Sequence, residues 1–168
     1  KEASWAGGGI LSPIHPNHYP PALAGLCERS LALYPSFIEA IEKLCGFSTE
    51  YRHTGMLRVD VDELSDDNRD ILQFRRSLGH SATVLDQLSL RKQEPKIGAK
   101  FSTAIYEPNI HQIRNPRLLK GLHTACIGLG VVFKTQCPAQ ELILNASRVI
   151  GVETDIGAIY ARETVVAA

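Results

Sequence analysis

Residues 7–9 are three consecutive glycines, and four prolines follow within residues 12–21. This pairing constrains the chain more than any other feature. Gly7, Gly9 and Ser12 come within one residue of the G-x-G-x-x-G/A dinucleotide fingerprint. That fingerprint works only in the turn between a buried strand and a helix whose N-terminus faces the pyrophosphate. Six residues of the sequence stand before Gly7, too few for such a strand, and a segment with prolines at 13, 16, 20 and 21 cannot form the helix. The run is therefore not a Rossmann turn. Trp5, Ile10 and Leu11 flank it and favour burial, which argues against a bare surface loop. What remains is an extended segment whose missing side chains let another molecule lie against the backbone.

Beyond the prolines, apolar periodicity takes over. From Leu23 to Cys45, apolar residues recur at three- and four-residue steps, which predicts a helix over 20–46 with Gly46 as its stop. Pro35 should bend that helix or divide it. Residues 47–62 read as strands, with Met56, Leu57, Val59 and Val61 as their apolar positions. A second helix is expected over 62–79 with Ser65 as N-cap, then a short strand and helical turn over 83–94, and a strand or irregular segment over 96–108. Asn115 followed by Pro116 is a helix-start signature, and Gly130 a matching stop. Residues 131–133 read as a strand, and residues 141–145 and 149–154 as a hairpin around N-A-S-R. A turn at 155–157 leads into 158–162. The run 164–168 is apolar, as in a strand covered on both faces.

Composition excludes some classes of function. Eighteen basic residues balance eighteen acidic ones, so no charge excess suggests a nucleic-acid or polybasic membrane surface. No apolar run approaches the roughly 20 residues of a membrane helix, and no signal-peptide pattern is present. Cys27, Cys45, Cys126 and Cys137 have no zinc or C-x-x-C spacing, and read as buried reduced thiols of a cytoplasmic protein. His15 and His18 sit in the proline-rich loop with no further metal ligand evident, so they read as solvated and no metal is expected. His53, His80, His111 and His123 are scattered, and the acidic groups at 60–63 and 66–67 read as a solvated helix start. Arg114 and Arg117 at a helix start are compatible with an anion site, although the start chemistry alone accounts for Asn115 and Pro116. The residues by themselves describe a soluble mixed α/β (α+β) domain without a visible catalytic constellation.

The order of segments carries more. S-W-A-G-G-G-I-L-S-P, then H-T-G-M-L-R-V after a long helix, then Q-I-R-N-P-R-L-L-K-G-L, then a hairpin leading to T-V-V-A-A, together resemble the glycine oxidase branch of the D-amino acid oxidase family. The similarity runs along essentially the whole chain. It implies the middle portion of a flavoenzyme of that kind, a mixed sheet with packed helices. In the family, a Rossmann unit stands roughly 30 residues ahead of the glycine-rich stretch. That unit would lie outside this sequence, so the chain is expected to be a piece of a longer protein that by itself is inactive and does not retain FAD. The implied organisation is a flavin-adjacent segment over 1–19, a mostly substrate-binding region over 20–130, and a β-meander and strand of the FAD-binding domain over 131–168.

The resemblance also assigns site residues. Ala3 and Ser4 match family positions near the FAD phosphates, and Gly8, Gly9 and Ile10 match the segment beside the isoalloxazine ring. Ile10 matches a substrate-facing position too, where relatives often carry Met. Ala139 matches a residue whose backbone contacts the adenine. No residue here inherits a catalytic role. The implied reaction oxidises the C–N bond of glycine or another small amino acid to an imine, with FAD as hydride acceptor and O2 reduced to hydrogen peroxide. The implied setting is thiamine biosynthesis in the cytoplasm, with no nucleic-acid or membrane partner, in a homo-oligomer. A related FAD-dependent dehydrogenase or N-methyl-amino-acid oxidase, and a non-catalytic binding domain of this fold, stand as alternatives.

Overall fold

The computed structural model describes residues 3–12 and 15–167. It divides into two compact units, residues 1–129 and 130–168, each described here by itself.

The first unit opens with a single helical turn, α1 (Ala3–Ala6), followed by the glycines and a short extended piece, β1 (Ile10–Leu11). A 3-10 turn over Pro16–His18 leads into the long helix α2 (Pro21–Cys45). Pro21 opens that helix, where its missing N–H costs nothing, and Gly46 closes it in the left-handed conformation (φ 76°). The helix is not divided at Pro35, which lies inside one continuous element. The buried Ile38 and Ile41 fix its second half in the core and outweigh one missing backbone bond. Glu42, in the last turn, accepts from the Thr49 backbone N–H (2.6 Å) and hydroxyl (2.8 Å), fastening the chain that leaves the helix.

Strands β2 (Arg52–His53) and β3 (Met56–Asp60) follow, then helix α3 (Asp66–Ser77). The Ser65 side chain accepts from the Asn68 N–H, the expected N-cap. Asp60, at the end of β3, accepts from Asn68 Nδ2 (2.7 Å), so one of the acidic residues read as solvated instead ties strand to helix. Strand β4 (Thr83–Leu85), helix α4 (Gln87–Gln93), strands β5 (Thr103–Glu107) and β6 (His111–Gln112), and helix α5 (Asn115–Gly128) complete the unit. The first sheet has the order β1-β6-β2 and the second β3-β5-β4. Two cores result. Ile38, Ile41 and Ile113 pack with Leu11, Tyr34 and Leu118, while Leu72, Ala82 and Ile105 pack with Leu64.

The second unit is a three-stranded meander of β7 (Ala139–Asn145), β8 (Arg148–Thr154) and β9 (Ile159–Tyr160). Its hairpin turns at Ala146, which takes a positive φ of 54°. The hairpin and the following turn lie where the sequence puts them.

Several expectations are corrected. Every strand pairing among the described residues is antiparallel, so the α/β (α+β) class holds while the sheets are not mixed. Residues 131–133 form no strand, and Val132 is 78% exposed. Residues 164–167 form none either, and Val165 and Val166 are exposed; Ala168 lies outside the described residues. Both runs have apolar β-formers, but neither joins a strand ladder among the described residues, and an extended segment becomes a strand only through a ladder. The cysteines are free, as expected, but half-buried rather than buried. Trp5 and Ile10 are exposed rather than covered. The cap of α5 is Arg114, with Asn115 as the first helical residue. Among the described residues no helix is long and apolar enough to cross a membrane.

Candidate functional site

Close approach of the protein on one side bears on Gly7 and Gly9. A Cβ on Gly9 would lie 2.0 Å from the Ile113 carbonyl oxygen, and Gly9 has φ 74°, a region that side chains rarely adopt. A Cβ on Gly7 would lie 2.4 Å from Asn115 Nδ2. The Asn115 side chain thus fits beneath the glycine run instead of capping α5. The Ile113 N–H donates to the Gly9 carbonyl at 2.8 Å, and pairing continues as Ile10 opposite Gln112 and Leu11 opposite His111. Gly8 differs. A Cβ there would meet nothing within 4 Å, and the residue is exposed. The run therefore has one face closed by protein and one face of bare, accessible backbone.

Two clefts flank this run. A polar one of about 430 Å³ is lined by Gly7, Gly8, Glu50, Arg52 and Arg114. A more apolar one of about 400 Å³ is lined by Ile10, Tyr19, Leu26, Cys27 and Tyr34. Ile10, 46% exposed, stands on the apolar side. Arg114 and Arg117 each pair with Glu50 at 3.2 Å, and Arg117 also donates to the Ser48 carbonyl. Ser4 is exposed on α1; of Ala3 only the backbone, in the same helical turn, is described. Ala139 starts β7 in the other unit, exposed and opposite Thr154.

Beyond β1 lies a buried ionic network that sequence reading missed. Glu107, on β5, accepts from Arg58 Nε (2.6 Å) and Arg75 Nε (2.7 Å). Arg75 Nη1 reaches Glu28 on α2 at 3.1 Å, and Glu28 also meets His80 Nε2 at 2.8 Å. Arg75 Nη2 donates to the Ser12 hydroxyl at 2.7 Å, so this one guanidinium joins α3, β5, α2 and the end of the glycine-rich segment. Arg75 and Glu107 are each 3% exposed. Buried charges are tolerated only when paired and hydrogen-bonded in this way. A signal existed: Glu107 is two residues from the fully buried Ile105 and so shares its strand face. A charge on a core face demands a partner, although the sequence does not say which.

The fold also gathers two of the scattered histidines. His53 pairs with His111 across β2 and β6, with ring centroids 4.1 Å apart. His53 Nε2 donates to the Pro108 carbonyl (2.8 Å), and the Tyr51 hydroxyl and His111 Nδ1 share a hydrogen bond. Burial, and secondarily the adjacent His53, lower the His111 pKa, so the neutral imidazole is favoured there. Burial raises that of Tyr51.

The whole chain, residues 1–168, matches the DAO family, described as FAD dependent oxidoreductase. The chain belongs to this family. It is 32% identical over its full length to a glycine oxidase of Pseudomonas putida, covering 45% of that protein. It is 27% identical over 98% of its length to the bifunctional protein ThiO/ThiG of Trichormus variabilis, covering 25% of it. In structure it resembles the glycine oxidase of Bacillus cereus, with a TM-score of 0.82, 25% identity, and coverage of 95% of this chain and 43% of that one. The chain thus spans less than half the length of these relatives. The fold extends to the L-amino acid deaminase of Proteus vulgaris, with a TM-score of 0.74 at 20% identity over 95% of this chain and 37% of that one.

Proposed function

We propose that the protein carrying this chain is an FAD-dependent amino acid oxidase acting on glycine or another small amino acid, and that residues 3–12 are its flavin-facing segment. The observation that carries this reading is the glycine run with one closed and one open face. Packing within the protein demands glycine at position 9 and disfavours a side chain at position 7, but makes no demand at position 8. Ile113 and Asn115 account for one side through Gly9 and Gly7; Gly8 has no such neighbour within the protein. A planar group fits against that open backbone, so the residues present are compatible with the isoalloxazine. When bound, FAD supplies the electron acceptor for oxidation of the C–N bond.

The chain's own residues orient and shield. The left-handed Gly9, held by the Ile113 N–H, sets the direction of the backbone that would face the ring. Arg75 pins Ser12 and so fixes the far end of the same segment. Ile10 would supply an apolar contact to the substrate and keep water from it. Ser4 and the Ala3 backbone would lie toward the phosphates, and Ala139 would offer its backbone to the adenine. We further assign the protein to the cytoplasm, which its four free cysteines support, to a homo-oligomer, and to the supply of an imine for thiamine biosynthesis, which the likeness to ThiO/ThiG proteins supports.

The deciding measurement is the visible absorption spectrum of the purified longer protein that carries this chain, before and after anaerobic glycine. Flavin bands that bleach support the oxidase and its substrate. Bands that persist turn the search to other amines, such as N-methyl amino acids, and absence of flavin bands overturns the proposal.

A further inference from the structure

His15 immediately precedes the 3-10 turn that ends at His18, and the His18 N–H donates to the His15 carbonyl (3.1 Å). Side chains three apart on such a turn eclipse one another. The two imidazoles accordingly stack, with centroids 5.6 Å apart and planes 14° from parallel. Both turn a nitrogen toward one carboxylate on the first turn of α3. His15 Nδ1 lies 3.3 Å from Asp67 Oδ2, and His18 Nε2 lies 3.6 Å from Asp67 Oδ1. The second distance is too long for a hydrogen bond. The two imidazoles thus face different oxygens of one carboxylate, each at a distance close to the roughly 3.4 Å that separates neighbouring ligand atoms when bonds of about 2.1 Å lie along tetrahedral directions. One ligand atom from each of the three residues falls within 4.8 Å of the others. No other group of three such residues among those described does so. The neighbouring acids are engaged elsewhere, Asp66 with Arg69 and Asp60 with Asn68, whereas Asp67 faces the imidazoles.

We propose that His15, His18 and Asp67 form a three-ligand site for a divalent first-row transition ion, with zinc the best chemical match and water at the remaining position. Two imidazoles and one carboxylate suit zinc, copper or nickel, and exclude the all-oxygen preference of calcium and magnesium. The site is solvent-exposed, so an ion reaches it without any opening of the fold. Its structural consequence is a clasp. The ion joins the turn between β1 and α2 to the start of α3, tying the segment that leaves the glycine run to the helix that carries Arg75. The site stands apart from the flavin reading and does not depend on it.

The test is isothermal titration of the chelator-treated protein with Zn2+. One saturable equivalent is expected. His18→Ala and Asp67→Asn should each weaken binding by at least about tenfold, since even outer-shell changes in zinc sites reach that size. Both positions are exposed, so the metal-free melting temperature should be unchanged. In the unsubstituted protein, paramagnetic Ni2+ should broaden the ring protons of His15 and His18 before those of other histidines. Absence of saturable Zn2+ binding, full affinity in a His15→Ala, His18→Ala double variant, or broadening centred on other residues would each overturn the proposal.

Discussion

Gly8 and Gly9 are adjacent and chemically identical, yet a methyl group added to each should have opposite consequences. For Gly9→Ala two costs add. The left-handed conformation costs a non-glycine residue roughly 1–2 kcal/mol. The new Cβ would also stand 2.0 Å from a backbone oxygen, where contacts under 3.0 Å are essentially never found, so Gly9 and Ile113 must separate by about 1 Å. That movement breaks the 2.8 Å bond from the Ile113 N–H, a net loss of about 0.5–1.5 kcal/mol. The sum is about 1.5–3.5 kcal/mol, or about 3–14 °C in melting temperature for a domain of about 150–250 residues. For Gly8→Ala no φ penalty and no contact apply, and stability should stay within about 0.5 kcal/mol of the original. Its methyl group does project from the open backbone, so flavin affinity should fall at least tenfold, about 1.4 kcal/mol. The assay, made on the longer protein that carries this chain, is paired: thermal unfolding for the fold, and flavin absorbance retained after gel filtration for the site. Equal melting temperatures for the two variants would refute the packing argument. A fully flavin-loaded Gly8→Ala protein would refute the open face as the cofactor's seat.

Two further outcomes follow from groups wholly or partly withdrawn from water. Arg75→Leu should destabilise by about 3 kcal/mol, the low end for breaking a buried pair, because Glu107 and Glu28 lose their shared partner while Arg58 and His80 remain, and Arg75→Lys should rescue little, since an ammonium cannot reach Ser12, Glu28 and Glu107 as a fork does; a urea-unfolding loss under 1 kcal/mol would count against the network. His111 has a folded-state pKa below its ordinary 6.5, so protons bind the unfolded chain more tightly. Its contribution is complete above pH 6.5 and is lost as pH falls through the lowered value. His111→Asn should flatten this part of the melting-temperature profile, and an unchanged slope in that variant would assign the dependence to other groups.

Local elements were legible in the sequence where local physics suffices. The Ser65 cap, Gly46 and Gly130 after their helices, and the hairpin around Ala146 each depend on a few neighbouring residues. The order of these segments even carried the family. Other features depended on what lies across space. Residues 131–133 and 164–167 have strand composition but join no ladder among the described residues, and Asn115 has cap chemistry but sits under Gly7. Glu107, Arg75, Glu28 and Ser12 are separated by up to 95 positions, and only the packing of α2 and α3 on β5 makes them one network.

The glycine run shows the same division within three residues. By itself the sequence determined that residues 7–9 need bare backbone and that the prolines after them exclude a phosphate-binding helix, since those are properties of the residues' own dihedral freedom. Which side of each glycine is filled was decided by the tertiary structure. Ile113 and Asn115 come from more than 100 positions away to close one face and leave Gly8 open on the other. Backbone torsion is local and can be read along the chain, whereas steric neighbours are set by the fold.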